Sequence, residues 1–259
     1  MAKYASDMRI MENKSLNSNY FLLKLTSDTR LPDMRPGQFV EVRVDGSPDS
    51  FLRRPLSIHF VDREANELWL LIQQVGAGTR RLATCKVGDT INLLMPLGNG
   101  FTIPDKSHDL RLLLIGGGVG VAPLLFLGYE LKCAGFRPEF LLGAKQKDEL
   151  VQLSDFQQQG TVYTTTEDGS SGEKGFVTDH AVLQDNMYDF IYTCGPKPMM
   201  VAIAGYAASR GIQCEVSLEN TMACGIGACL CCVEMTNDGH KCVCTDGPVF
   251  NINELTWQS

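Results

Sequence analysis

The chain has 259 residues, 44% of them hydrophobic and 20% charged, enough to build one to three ordinary cores. A formal net charge of −7 gives no basic footprint for nucleic acid, and Met1 to Arg9 lacks the apolar core of a secretory signal. The most apolar stretch, Leu112 to Gly128, is shorter than the roughly 20 residues of a membrane span and is broken by glycines and Pro123, so a cytoplasmic protein without a membrane partner is expected.

Residues 1–103 read as all-β. Apolar and polar residues alternate in short runs such as Phe39 to Val44 and Leu68 to Gln73, with turns at Pro36-Gly37, Asp45-Gly46 and Gly88-Asp89. The pattern predicts a small antiparallel barrel. Two pieces within it suit a phosphorylated cofactor. In Arg53 to Ser57 an arginine fork suits a pyrophosphate, while Ser57 and the backbone suit a flavin ring. In Val75 to Leu82, Gly76 and Gly78 permit a tight turn, and Thr79 is placed to cap a short helix, whose N-terminus favours phosphate. Taken singly, each is also what an ordinary turn and cap would show. Together, read as opposite ends of adjacent strands, they point to a flavin dinucleotide.

Residues 104–213 change pattern after Pro104 to Ser107, the expected linker. Continuous apolar runs, Arg111 to Ile115 and Glu139 to Gly143, alternate with helical stretches such as Pro123 to Ala134 and Pro198 to Ser209. This predicts a parallel, Rossmann-like α/β domain. Its first strand runs into Gly116, Gly117, Gly118 and Gly120, which depart from G-x-G-x-x-G but still let backbone amides approach a pyrophosphate. A later strand, Asp189 to Thr193, ends in Cys194-Gly195-Pro196, and ligands sit at such strand ends. A lone cysteine such as Cys194 is also often just a small buried hydrophobe.

Residues 214–259 are rich in cysteine: six of the ten fall between positions 224 and 244. Cys224, Cys229 and Cys232 stand in C-x4-C-x2-C spacing with a distant fourth, the plant-type [2Fe–2S] pattern. Gly225 and Gly227 give the loop its looseness, and small neighbours leave room for sulfides and for amides that bond them. A structural zinc site would favour paired C-x2-C knuckles, and a disulfide framework a short secreted chain. The fourth ligand is Cys242 or Cys244. Cys244 is favoured because it opens a Thr245-Asp246-Gly247-Pro248 turn, with Cys242 within a strand on the same face and Cys231 a spare thiol.

The motif order, Pro36 to Phe39, Arg54 to Ser57, Gly76 to Thr79, Met95 to Phe101, Gly117 to Pro123 and Cys194 to Pro196, resembles the ferredoxin–NADP reductase superfamily over nearly the whole chain. With Cys224 to Cys232 and Cys244 to Phe250 appended, it is most similar to the electron transfer subunits of NAD-dependent bacterial dihydroorotate dehydrogenases; Leu56 stands where superfamily members often place Tyr. The resemblance implies a relay in which a catalytic partner oxidises dihydroorotate at its own FMN and electrons pass through a [2Fe–2S] cluster to FAD, then as hydride to NAD+. It implies FAD contacts at Arg54, Pro55, Leu56, Ser57, Leu71, Ile72, Gln73, Gly78 and Thr79, and nicotinamide-nucleotide contacts at Gly117, Gly118, Gly120, Cys194, Gly195 and Pro196. It also implies two copies of each subunit and docking through Gly225 to Cys232. No residue of this chain is expected to act as acid or base, because hydride transfer depends on positioning and the chemistry is the cofactors'. Glu167 and Asp168 would repel a 2′-phosphate and favour NAD, with Lys145 arguing mildly against this. Competing readings are the small flavoprotein subunit of an electron-bifurcating ferredoxin:NADP oxidoreductase or of a sulfhydrogenase, and an iron–sulfur sensor, which leaves the flavin and nucleotide motifs unexplained.

Overall fold

Alternating runs become strands in the first hundred residues: β1 (Tyr4–Ser15), β2 (Tyr20–Thr26), β3 (Phe39–Val42), β4 (Arg54–Ser57), β5 (Phe60–Asp62), β6 (Glu67–Gln73) and β7 (Thr90–Leu97), with α1 (Ala77–Ala83) between the last two. The computed structural model describes residues 2–47, 50–105, 109–185 and 187–258. These strands pair antiparallel in the order β4-β3-β7-β1-β2-β6-β5. On β3, Val40 and Val42 enter the barrel core with Ile10, Leu23, Leu70 and Ile72, whereas Phe39 packs outward with Leu97. That split follows the period of two along a strand. All four β3 residues are buried, so both faces of this strand are covered.

The continuous apolar runs become the parallel sheet: β8 (Leu112–Gly117), β9 (Glu139–Ala144), β10 (Thr161–Thr166), β11 (Glu173–Lys174), β12 (Phe190–Cys194) and β13 (Gln213–Ser217). Leu112 to Ile115 are 0% exposed because helices cover both sheet faces. α2 (Ala122–Cys133) and α3 (Leu153–Gln159) supply Leu124, Leu127 and Phe156 to one side, and α4 (Val182–Asp185) and α5 (Lys197–Ser209) supply Leu183, Ile203 and Ala207 to the other. Strand order is β11-β10-β9-β8-β12-β13, so the chain's progress across the sheet reverses between β8 and β12. A crevice opens at the carboxyl ends of strands at such a reversal. Of the expected linker, Lys106 and Ser107 lie outside the described residues; Pro104 and Asp105 have no regular structure.

After β13 the chain has no helix or strand from Leu218 to Leu230, then forms the hairpin β14 (Val233–Thr236) and β15 (Gly239–Cys242). The final strand, β16 (Val249–Asn251), pairs antiparallel with β13 and so extends the nucleotide sheet. The cysteine-rich region is therefore sewn into its neighbour at both ends. Asn99 ties it to the barrel as well, its amide donating to Gly247 O at 2.6 Å and its side chain to Asp246 O at 2.9 Å. His59, buried in the barrel, bonds through Nδ1 to Ala122 O at 2.7 Å and joins the first two regions.

Candidate functional site

Barrel, nucleotide sheet and cysteine-rich segment together wall one cavity of about 400 Å3. β4 contributes Arg54, Pro55, Leu56 and Ser57, and β6 contributes Leu71 and Gln73. Ile72, between them, turns its side chain into the barrel core, 0% exposed, so only its main chain can face the cavity. β4 and β6 are not adjacent strands, contrary to the expectation from sequence. β4 is an edge strand on β3, while β6 pairs with β2 and β5, and curvature of the sheet brings the two to face each other.

The expected arginine fork is divided. Arg53 turns away to donate to Glu41 O at 3.1 Å and Asn92 O at 3.1 Å, bracing the barrel. Arg54 alone reaches the cavity, its guanidinium held by Leu52 O at 2.9 Å and Ser50 Oγ at 3.2 Å. A Cβ at Gly78 would lie 2.6 Å from Arg54 Nε, so glycine leaves a cradle there that any side chain would fill. Thr79 caps α1 from the third helical position, the N-cap itself being Gly76. Its Oγ1 accepts from Val75 N at 3.0 Å and Gly76 N at 3.2 Å, holding the turn that presents Gly78. An arginine fixed by neighbours beside a bare backbone fits a pyrophosphate, and the apolar walls Leu56, Leu71 and Met222 fit a flat ring.

At the sheet reversal, the turn after β8 interlocks with the turn after β12. A Cβ at Gly120 would lie 2.5 Å from both Cys194 O and Gly195 Cα, and one at Gly117 would lie 3.2 Å from Pro196. Gly118, with φ +56, starts the 3-10 turn between Gly117 and α2. Cys194 is 0% exposed and burial pushes its thiol well up, so it packs as a small neutral group and supplies no nucleophile. Val119 and Ala122, next to these glycines in the chain, line the cavity, whereas Gly117, Gly118, Gly120, Cys194, Gly195 and Pro196 are not among its lining residues. Glu167 and Asp168 lie just past β10, their amides donating to Ala144 O and Lys145 O at 3.1 and 3.2 Å. Asp168 accepts from Ser170 N and Oγ in its own turn, which holds its carboxyl below the usual range and keeps it ionised, so its charge stands beside that of Glu167.

Four thiols gather in two pairs. The free thiols of Cys224 and Cys229 hydrogen-bond to each other, as do those of Cys232 and Cys244. Among the described residues no three metal-binding side chains converge as a cage for a single ion, whereas two pairs are what two sulfide-bridged irons require. Backbone donors aim at the sulfurs: Ile226 N to Cys224 Sγ at 3.5 Å, Gly227 N to Cys244 Sγ at 3.2 Å and Cys244 N to Cys232 Sγ at 3.3 Å. The Ile226 amide, with those of Cys229 and Ala228, brings the Cys224 thiol down to about 6, which favours a thiolate there. Burial raises the Cys244 thiol to about 12. Cys242 ends its strand, so it and Cys244 are not on one strand face as the alternation suggested. Cys242 touches Cys232, but its amide and carbonyl are tied to Asp246 in a turn, whereas Cys244 is buried beneath the Gly227 amide.

Two elements escaped the sequence. Ser217 to Met222 cross the cavity wall on their way from β13 to Cys224. Glu41 is 0% exposed beside the cysteine loop, and burial raises its carboxyl to about 7 despite Arg53. The signal for Glu41 was present: a single acid inside the otherwise apolar run Phe39 to Val42.

Residues 7–101 match the family described as oxidoreductase FAD-binding domain, and residues 219–256 match the iron-sulfur cluster binding domain of dihydroorotate dehydrogenase B. The chain is 38% identical to the dihydroorotate dehydrogenase B (NAD(+)) electron transfer subunit of Shouchella clausii, covering 98% of this chain and 99% of that one. It is 39% identical to the same subunit of Lysinibacillus sphaericus, covering 94% and 95%. Among solved structures, an NADH-dependent reduced ferredoxin-NADP oxidoreductase studied for flavin-based electron bifurcation aligns with TM-score 0.86 at 31% identity, over 97% of this chain and 90% of that one. A cytochrome P450 reductase from Amycolatopsis, at 23% identity and TM-score 0.69, shares the fold over 81% of this chain and 68% of its own. On this likeness, and with a flavin cavity, a nucleotide crevice and a four-thiol loop in one molecule, the chain belongs to the family of electron transfer subunits of dihydroorotate dehydrogenase B.

Proposed function

We propose that this chain passes electrons from a catalytic partner that oxidises dihydroorotate to NAD+, in pyrimidine biosynthesis. The observation that carries the reading is the Ser217 to Met222 segment, which leaves the nucleotide sheet, walls the flavin cavity and arrives at the first thiol of the cluster loop. When bound, the [2Fe–2S] cluster supplies single-electron exchange and FAD converts it into hydride chemistry with NAD+. The protein's part is to bind and orient. Arg54 and the Gly78 backbone hold the pyrophosphate of FAD; Pro55, Leu56, Ser57, Leu71, Gln73, Thr79 and the Ile72 main chain frame its remainder. Gly117, Gly118, Gly120, Cys194, Gly195 and Pro196 shape the crevice for the nicotinamide nucleotide. Cys224, Cys229, Cys232 and Cys244 ligate the cluster, with Cys244 preferred over Cys242 for its burial and its bond from Gly227 N.

The partner is an FMN-bearing catalytic subunit, two copies of each chain assembling in the cytoplasm. Its docking face is the cluster loop, where Ile226 and Leu230 are 48% and 64% exposed. Exposed apolar side chains beside a redox centre suit a protein surface better than water. Among the described residues no helix is long and apolar enough to cross a membrane. The test is to purify the tagged chain anaerobically from its native host, identify what accompanies it, and assay dihydroorotate-dependent NAD+ reduction. Activity with an FMN-bearing partner is expected. NADH oxidation unresponsive to dihydroorotate would instead move the chain to a bifurcating-type complex.

A further inference from the structure

Glu41 is a carboxyl group in a place where an apolar residue would be expected. It lies within β3, 0% exposed, and neither of its oxygens meets a hydrogen-bond partner among the described residues. An unsatisfied buried acid costs stability, so its presence asks for a role outside packing. Its surroundings supply one. Gly225, the residue after Cys224, lies directly against it: a Cβ there would be 2.7 Å from Glu41 Cγ and 3.0 Å from Oε1, and the residue has φ +67. Leu97 of β7 closes the same spot, with a Gly225 Cβ 3.2 Å from its Cδ1. The charges acting on Glu41 are those of Arg53, Arg54 and the Cys224 thiol. Phe39, two residues earlier on the same strand face, lines the flavin cavity. Glu41 thus stands between the cavity and the loop that carries the first cluster ligand.

We infer that Glu41 sets the reduction potential of the iron–sulfur cluster, its carboxylate lying in a dry layer beneath the Cys224–Gly225 turn and making the cluster harder to reduce. Reduction adds negative charge to the cluster, and a carboxylate close by, ionised at alkaline pH, opposes it more strongly in a low-dielectric interior than in water. Glu41 is a positioning residue in this scheme: it touches neither nucleotide nor substrate and acts through the field at the ligand loop. The inference rests on Cys224 being a cluster ligand.

The test is a redox titration of the full chain with FAD and cluster loaded, at pH 9, following the cluster by electron paramagnetic resonance and the flavin by absorbance. Glu41→Gln keeps size and shape; it should retain full iron, move the cluster potential upward and move the flavin potential less. Glu41→Asp keeps the charge and should titrate like the unmodified chain. A Glu41→Gln cluster with unshifted potential, or an Asp variant shifted as far as the Gln variant, overturns the inference. So does a Gln variant that binds no iron, because a structural role then suffices. An unmodified chain without iron fails the ligand assignment itself, a result distinguishable by iron analysis alone.

Discussion

The flavin cavity and the cluster loop obtain their shape by different means. The cavity is framed by strands and turns resting on apolar cores, Val40, Val42, Leu70 and Ile72 in the barrel and Leu112 to Ile115 in the nucleotide sheet, which hold the backbone in place. The loop from Leu218 to Leu230 has neither helix nor strand, and its thiols and amides point at one another. One site is preorganised by burial of side chains, the other completed by ligation. In the second kind, metal affinity and local folding are one free energy.

Removing a ligand should therefore break the comparison most sharply. Cys244→Ser is expected to lose the cluster and keep FAD, whereas Cys231→Ser and Cys242→Ser keep both. Iron and flavin content per chain decide it, and full iron in the Cys244 variant would return the fourth place to Cys242.

The converse removal acts on the framed site. Arg54→Ala should weaken FAD binding by roughly 10- to 100-fold, the loss of one or two charge-assisted hydrogen bonds at about 1.5–3 kcal/mol, with iron content unchanged. Flavin fluorescence titration measures this, and an unaltered affinity would remove Arg54 from the pyrophosphate site.

Acid sharpens the contrast through His59, which is wholly buried between barrel and α2 and whose pKa burial lowers below 6.5. A lowered histidine binds its proton in the unfolded chain first, so its effect is absent at pH 7 and costs stability as pH falls below about 6.5. The slope is at most ~1.4 kcal/mol per pH unit. Melting curves of the unmodified chain should thus fall more steeply from pH 6.5 to 5 than those of His59→Gln; parallel curves would show the imidazole to be protonated without cost.

The smallest effect concerns the nucleotide. Glu167→Gln should narrow the preference for NADH over NADPH about fivefold, the worth of one exposed charge of ~1 kcal/mol near a phosphate. The ratio of kcat/KM values for the two cofactors measures it, and an unchanged ratio would place the ribose away from Glu167.

Much of this was legible because local rules and tertiary demand agree. Leu112 to Ile115 read as a doubly covered strand and are one, and the helix expected from Pro123 to Ala134 runs from Ala122 to Cys133. The cysteine spacing carried its chemistry openly, since ligands a few residues apart share one loop. What stayed hidden depends on residues far apart in sequence. Nothing local says that β16 would return to β13, that β4 would face β6 across a cavity, or that Arg53 would turn inward to Asn92 while Arg54 turned out. Ser217 to Met222 gave no pattern because their role is to be crossed by a pocket that three regions create.

That crossing segment has a consequence for distance. Met222 lines the flavin cavity and Cys224 is two residues further along the same backbone, so their Cα atoms cannot be separated by more than about 7 Å. The cavity wall and the first cysteine of the loop are thereby tied together by covalent bonds. Whatever fills the cavity, Cys224 stays within two residues of the wall that Met222 makes.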